Sequence, residues 1–373
     1  MTLVSATWYG QGWPVPAAKS GPRNMTDASA KHAHGKPPNI CVMGCGHWGK
    51  NLARNFSELG NLYAICEENR ERLLQFSKQY PGAKAYADMS TALGDPDLDA
   101  VVLATPAELH FSMGMAALEA GKDLFVEKPL ALEWQDGVQL VEAARRHNRV
   151  LMVGHLLRYH PAVLKIQELL AQGTLGKIEY IYSNRLSMGK IRKEENALWS
   201  FAPHDISVIL ALTGHLPMQV TATGGAYLQP NIADVTISNL LFDRGVRAHV
   251  FVSWLHPYKE QRLVVIGTRQ MVVFEDTRPD HKLMLYDKQI EWKNGVLEAA
   301  KPNGTPVDFL QEEPLRRECA HFVECIGTRA VPDTPGEEGV HVLQVLQACQ
   351  RSLEMNGEVV QVDAMSTQRM SML

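Results

Sequence analysis

Three groups of residues have the types and spacing to do chemistry. Glu127-Lys128-Pro129 closes the apolar run Leu124–Glu127 and leaves a charged amine at the end of a predicted strand. An ammonium there can hydrogen-bond a hydroxyl or ketone oxygen and stabilise charge developing on it; a solvated strand-end lysine is the plain alternative. Upstream, Gly44-Cys45-Gly46-His47-Trp48-Gly49 has the G-x-G-x-x-G spacing of a phosphate-cradling turn. Downstream, Leu198-Trp199-Ser200-Phe201-Ala202-Pro203-His204-Asp205 enters a helix. His204 titrates near neutrality and can act as a general base, although a histidine at a helix start is also a common structural residue. Asp205 is adjacent in sequence, so it need not face the histidine, and it is read as a helix-terminal acid.

The elements around the glycines give them meaning. The fingerprint follows the short apolar strand Asn39–Gly44 and opens a helix in which Trp48, Leu52, Phe56 and Leu59 recur at helical spacing until Gly60. Gly44 permits the tight turn, Gly46 lets the backbone approach a pyrophosphate, and Gly49 allows close helix–strand packing, while the helix N-terminus offers donors and positive potential. His47 and Trp48 lie within this turn. Glu67 ends the second strand, Leu62–Cys66, where a carboxylate accepts both ribose hydroxyls of NAD and repels the 2′-phosphate of NADP. Arg70, three residues on, keeps NADP open. Thr105 and His110 follow the fourth strand at the ligand-binding edge and border the cofactor, unless Thr105-Pro106 is only turn chemistry. Glu127, Lys128 and Arg158 complete the candidate cofactor contacts.

Strands near 85–87, 100–104, 124–127 and 150–154 alternate with helices, which predicts an α/β chain beginning with a doubly wound parallel Rossmann sheet. After residue 160 the texture changes. A helix over 162–172, a strand over 177–187 and a short helix over 202–213 precede closely spaced strands at 219–227, 235–242, 247–254, 263–266 and 271–274. Two helices, near 313–326 and 339–355, close the chain. This predicts a C-terminal α+β domain with a mostly antiparallel open sheet. The expected divisions are a disordered extension over 1–37, with Met25 an alternative start, a cofactor domain over 38–157, a substrate domain over 158–365 and a tail over 366–373.

Composition narrows the class. With 45% hydrophobic and 21% charged residues and a net charge of −4, nothing invites nucleic acid or an anionic membrane. No run of 18 apolar residues and no secretion signal is present. Six cysteines without a CxxC pair predict a reducing, cytoplasmic compartment. Cys319, His321 and Cys325 fit no common zinc spacing, so no metal is expected.

The order GCGHWG, ATPAELH, VEKP, GHLLRYHP and a histidine at a helix start resembles the Gfo/Idh/MocA oxidoreductases over roughly residues 38–360. The resemblance implies NAD chemistry, with Lys128 and His204 flanking the reacting carbon. Many members carry an aspartate four residues before this histidine. Ser200 stands there in this chain, so either His204 works alone or Lys128 and a water share the proton. The stretch from GHLLRYHP through NRLSMGKIRKEENALWSFAPHDISVIL is similar to sugar-nucleotide 3-dehydrogenases, especially those of UDP-N-acetylglucosamine.

That narrower resemblance implies oxidation of a C3 hydroxyl to a ketone, which a partner aminotransferase converts to an amine for lipid A or other surface glycans. It assigns Lys190 and Arg192 to the diphosphate and Glu195, Asn196 and Trp199 to the sugar. Tyr159, at the domain junction, and Arg185, in the basic run before His204, join Lys128 and His204 as candidate substrate contacts; solvated charge is the alternative for that run. Trp254-Leu255-His256-Pro257-Tyr258-Lys259-Glu260-Gln261-Arg262 adds a second basic and aromatic cluster. Two rival readings remain: the corresponding uronate as substrate, and a non-catalytic NAD-binding sensor. An open antiparallel sheet face invites a homo-oligomer, and family members form dimers or tetramers.

Overall fold

The computed structural model describes residues 36–362; the expected extension (all but residues 36 and 37) and the tail fall outside them. Six parallel strands, β1 (Ile40–Met43), β2 (Leu62–Cys66), β3 (Lys84–Tyr86), β4 (Ala100–Leu103), β5 (Asp123–Glu127) and β6 (Leu151–Gly154), form a sheet in the order β3-β2-β1-β4-β5-β6. The helices between them are α1 (Gly49–Glu58), α2 (Arg70–Gln79), α3 (Met89–Leu93), α4 (His110–Glu119) and α5 (Trp134–Arg146). Strands β1, β4, β5 and β6 are buried at every position, as a sheet covered on both faces requires. The strand order reverses between β1 and β4, and this switch point opens a ligand crevice at the carboxyl edge.

A 3-10 turn, Leu156–Tyr159, leads to α6 (Pro161–Ala171), β7 (Ile178–Met188) and α7 (Ala197–Thr213). Strands β8 (Gln219–Gly225), β9 (Val235–Leu241), β10 (Arg247–Ser253), β11 (Leu255–Gly267), β12 (Gln270–Glu275) and β13 (Leu283–Asp287) follow. Then come the hairpin β14 (Ile290–Lys293) and β15 (Val296–Ala299), the short β16 (Gly304–Pro306), helices α8 (Pro314–Thr328) and α9 (Gly336–Glu354), and β17 (Val360–Gln361). Nine strands form one sheet, β16-β13-β12-β11-β7-β10-β9-β8-β17, in which β7 and β10 run parallel and the other neighbours antiparallel. The expected mostly antiparallel sheet is present. The segment from β13 to β16 was not legible, because its strands are short and β14 and β15 are exposed along their whole length.

Strand alternation gives the large sheet two unlike faces. Ala248, Val250 and Val252 of β10 and Ile181 of β7 point into a core with α6, α7 and α9. On the other face His249 stacks on Tyr182, with ring centroids 5.2 Å apart, and Ile237 is exposed.

Helix α9 joins the two sheets. Its leading segment docks on the β6 edge, where Val153 N–H donates to Thr334 O at 2.9 Å and Thr334 Oγ1 donates to Val153 O at 2.8 Å. A Cβ on Gly336 would lie 2.4 Å from Leu151 Cδ2, so glycine permits that approach. The rest of α9 packs on α7 and β8.

Candidate active site at the sheet junction

The glycine turn has the shape a pyrophosphate needs. Gly44 has φ of +86°, a left-handed conformation that favours glycine. A Cβ on Gly49 would lie 1.8 Å from Gly44 O, so this glycine serves packing. A Cβ on Gly46 would meet nothing within 4 Å; the protein does not fill that space, which leaves it for a ligand. No side chain caps α1, so its first N–H groups and positive end stay available to an anion. These features fit a bound dinucleotide.

Glu67 ends β2 as expected, but its carboxylate is turned onto the turn itself. Oε2 accepts from Cys45 N–H at 2.8 Å and Arg72 Nη1 at 3.1 Å, and Oε1 from Asn69 N–H at 3.0 Å. A carboxylate offers about four acceptor positions, so capacity for a ribose hydroxyl is left. Arg72, not Arg70, is the basic neighbour of this carboxylate; Arg70 is exposed at the start of α2. Asn69 caps α2 by accepting from Arg72 N–H at 3.0 Å, and this cap fixes which arginine follows Glu67.

Thr105 borders the turn, with Cγ2 3.0 Å from a Cβ built on Gly44. His47 is exposed there. Trp48 donates its indole N–H to Glu127 Oε1, which ties the turn to β5. His110 is corrected from a cofactor contact to a buried staple. Only 1% exposed, it places Nδ1 2.7 Å from Pro129 O and Nε2 2.9 Å from Thr105 O. Burial lowers its pKa, and a neutral imidazole donates to one of these carbonyls at a time.

Lys128 projects from the carboxyl edge of β5 and donates from Nζ to Ser200 O of α7 at 3.2 Å. Pro203, inside the same helix, lacks the N–H that Trp199 O would otherwise receive. Burial lowers the Lys128 pKa, with Arg192 and Arg185 adding to the effect and Glu195 and Glu127 opposing it.

His204 lies in the second turn of α7, not at a helix start. The helix begins at Ala197 because Asn196 Oδ1 caps it by accepting from Trp199 N–H at 3.1 Å; read from sequence, Pro203 looked like a first-turn proline. Asp205 is accordingly no helix-terminal acid. It is buried in mid-helix, accepting from Arg185 Nε at 2.8 Å, Arg185 Nη2 at 3.1 Å and Ser183 Oγ at 2.6 Å.

His204 stands in the walls of two cavities, of about 390 Å³ and about 170 Å³. Arg185 and Gln261 line both; His160, Asp276 and Lys282 line the larger, and Lys259 the smaller. Burial holds the His204 pKa well below the usual histidine value, and the charges of Lys128, Arg185 and His155 push the same way. Among the described residues its buried Nδ1 has no hydrogen-bond partner, nor does the Ser200 hydroxyl. Neutral and beside a cation, His204 is in the state a proton acceptor requires.

Three further assignments change. Tyr159 is a core residue, its hydroxyl 3.0 Å from His321 Nδ1 and 3.1 Å from Thr334 Oγ1. Arg158 turns away from the crevice and donates to Glu338 Oε1 at 3.2 Å and Asp333 O at 3.3 Å. Asn196, besides capping, donates to Gln350 Oε1 at 2.8 Å. These polar groups looked free in sequence because their partners lie far along the chain. Lys190 is exposed, Arg192 pairs with Glu195 at 3.0 Å, and half-buried Trp199 packs between two core clusters. Trp254, from the second basic and aromatic cluster, is fully buried on Asp234, while Lys259 reaches the smaller cavity. Gln261 lies within the second basic and aromatic cluster; Asp276 and Lys282 carried no sequence signal beyond being polar residues near strand ends.

The pattern described as an oxidoreductase family with an NAD-binding Rossmann fold matches residues 38–155, and that of the Gfo/Idh/MocA C-terminal domain matches residues 163–273. Together they span more than half of the chain. The chain belongs to the Gfo/Idh/MocA oxidoreductase family. Its first domain is therefore an NAD-binding Rossmann domain, in agreement with the turn geometry. UDP-N-acetylglucosamine 3-dehydrogenase of Acidithiobacillus ferrooxidans is 28% identical over 309 residues, 81% of this chain and 93% of that protein. Myo-inositol 2-dehydrogenase of Thermotoga maritima is 24% identical over 330 residues, 84% of this chain and 96% of that protein. A solved structure of the Acidithiobacillus enzyme superposes with a TM-score of 0.75 at 24% identity, covering 85% of this chain and 97% of that one, which shows the shared fold.

Proposed function

We propose that the protein is an NAD-dependent 3-dehydrogenase of a UDP-linked amino sugar, with UDP-N-acetylglucosamine as substrate. The observation that carries the catalytic part is the convergence of Lys128 and His204 on one stretch of α7, where the lysine is anchored on Ser200 O one turn before the open imidazole. The substrate class rests on likeness to the Acidithiobacillus enzyme over most of both chains.

In this reading NAD, when bound, accepts the hydride. His204 takes the hydroxyl proton on its neutral imidazole. Lys128 uses one of its three N–H donors on Ser200 O and turns another to the substrate oxygen, where it stabilises negative charge as the C–O bond gains double-bond character. The Ser200 hydroxyl takes no part in a carboxylate relay. Arg185 holds Asp205 and shapes both cavity walls, and the 189–196 loop, with Lys190 and Arg192, faces the diphosphate. A neutral sugar is favoured over a uronate, since Arg185, which lines both cavities, is already paired with Asp205. The open face of the large sheet, with Ile237 and the Tyr182–His249 stack, is assigned to contact between two copies of the chain. The ketone product is a substrate for an aminotransferase in this scheme.

Purified protein with NAD and a panel of UDP-N-acetylglucosamine, its uronate and free sugars tests the reading through absorbance of NADH. Turnover of a free sugar in preference to every UDP-sugar removes the nucleotide-sugar assignment. Binding of NAD without turnover of any member leaves the sensor reading in its place.

A further inference from the structure

Glu338 has no part in the chemistry proposed above, yet it faces three polar side chains from two different parts of the fold. It sits in the first turn of α9 and is only 4% exposed. Oε2 faces His155 Nδ1 at 2.8 Å, and Oε1 accepts from Arg158 Nη1 at 3.2 Å and from the hydroxyl of Ser207. His155 and Ser207 are 1% and 0% exposed, so water does not substitute for these bonds. His155 directly follows β6, and Arg158 lies in the turn that leaves the Rossmann sheet. Ser207 belongs to α7, three residues after His204 and therefore on neighbouring surface of that helix.

The backbone fixes the other end of this link. Thr334 is bonded to Val153 on the β6 edge, and a Cβ on Gly339 would lie 2.8 Å from Val153 Cγ2. The start of α9 is thus seated on the Rossmann sheet while its carboxylate reaches the catalytic helix. On its opposite side α7 is held to the large sheet by the Asp205–Arg185 pair. His204 stands between these two attachments.

We propose that Glu338 is a positioning residue, which with His155, Arg158 and Ser207 sets the distance of His204 from the cofactor domain. This rests on the assignment of His204 as proton acceptor. Hydride transfer needs the donor carbon and the base placed together, and an error near 1 Å costs about a hundredfold in rate. Loss of the link therefore lowers the chemical step and leaves the glycine turn, and NAD affinity, untouched.

The test compares Glu338→Ala, Glu338→Gln and Ser207→Ala with the unmodified protein. Hydrogen–deuterium exchange over residues 197–213 needs no substrate, and it should quicken in Glu338→Ala and Ser207→Ala. With a sugar substrate found by the panel, kcat should fall about ten- to a hundredfold in Glu338→Ala, with the NAD dissociation constant unchanged. The isotope effect from deuterium on the oxidised carbon should rise. Glu338→Gln keeps two acceptor contacts and should recover part of the rate. If Glu338→Ala does not fold, Glu338→Gln and Ser207→Ala carry the comparison. Wild-type exchange over 197–213 in Ser207→Ala, or in a folded Glu338→Ala, overturns the inference, as does a fall in NAD affinity that accounts for the lost rate. If the unmodified protein oxidises no sugar, the proposed function fails and exchange alone decides the positioning role.

Discussion

The indole N–H of Trp48 donates to the carboxylate of Glu127, which joins the glycine turn to the strand that ends in Lys128. The glycine turn and the strand end that carries Lys128 are thereby parts of one hydrogen-bonded unit, and His110 makes a second connection between the same loops through Thr105 O and Pro129 O.

The glycines of the turn should separate by function when each is replaced by alanine. Gly46→Ala adds a methyl group to open space, so thermal stability should hold while the NAD dissociation constant rises. Gly49→Ala drives a methyl group into Gly44 O and should destabilise the fold by about 1–3 kcal/mol. Melting curves with and without NAD check both; equal loss of NAD binding without a stability difference contradicts the assignment.

Lys128→Ala should lower kcat by orders of magnitude and leave NAD affinity nearly unchanged. His204→Asn should act likewise, and the pH profile of kcat/KM carries the more specific prediction. His204 must be neutral to accept a proton, so activity falls as pH drops through its pKa, which burial holds well below 6.5. Lys128 must be charged, so activity falls again as pH rises through a pKa lowered from 10.5. Full activity at about pH 6.5 is expected, and an acid limb centred at or above that value counts against His204 as the base.

Glu318 should reveal itself through pH-dependent stability. It is fully buried, and neither carboxylate oxygen has a hydrogen-bond partner. Burial raises its pKa well above the usual carboxylate range, with the charges of Glu127 and Glu338 adding to the rise. Glu127 is itself raised to about 7, by burial against the pull of Trp48 and Lys128. Both carboxyls hold protons more tightly folded than unfolded. Their contribution is complete below the unfolded value near pH 4.3, then lost as pH rises through about 7 for Glu127 and beyond the usual carboxylate range for Glu318. Glu318→Gln cannot ionise, so in urea unfolding it should match the unmodified protein at about pH 3.5 and exceed it at about pH 8.5. The same stability difference at both pH values would refute this account.

Arg185→Ala should cost about 3–5 kcal/mol, because Asp205 is left charged and buried without its bidentate partner. The double substitution Arg185→Met with Asp205→Leu should recover much of that loss in urea unfolding while activity stays low. Equal stability of the single and double variants would show that the pair contributes through shape alone.

How far the sequence reached depends on the range of the interaction. Local pattern sufficed for the six strands of the first sheet, since β1, β4, β5 and β6 are continuous apolar runs between turns, and for Gly44 and Gly49, whose roles follow from the chain just around them. Lys128 and His204 were legible through the family pattern. The partners of Tyr159, Arg158, Asn196 and Arg185 were not. Arg158 and Glu338 are 180 residues apart, and no periodicity announces such a pair. The position of His204 within α7 was missed because a proline inside a helix and a proline at its start look alike until the capping residue, Asn196, is identified.

The late position of Thr334 in the chain has a consequence for biosynthesis. A ribosome releases β6 long before the segment that covers its edge, so the nascent Rossmann domain spends that interval with an unpaired strand border and with Leu151 and Val153 uncovered. Such a border templates pairing between chains. Polypeptides interrupted before residue 334 would be expected to self-associate, because the segment that covers this border has not yet been made.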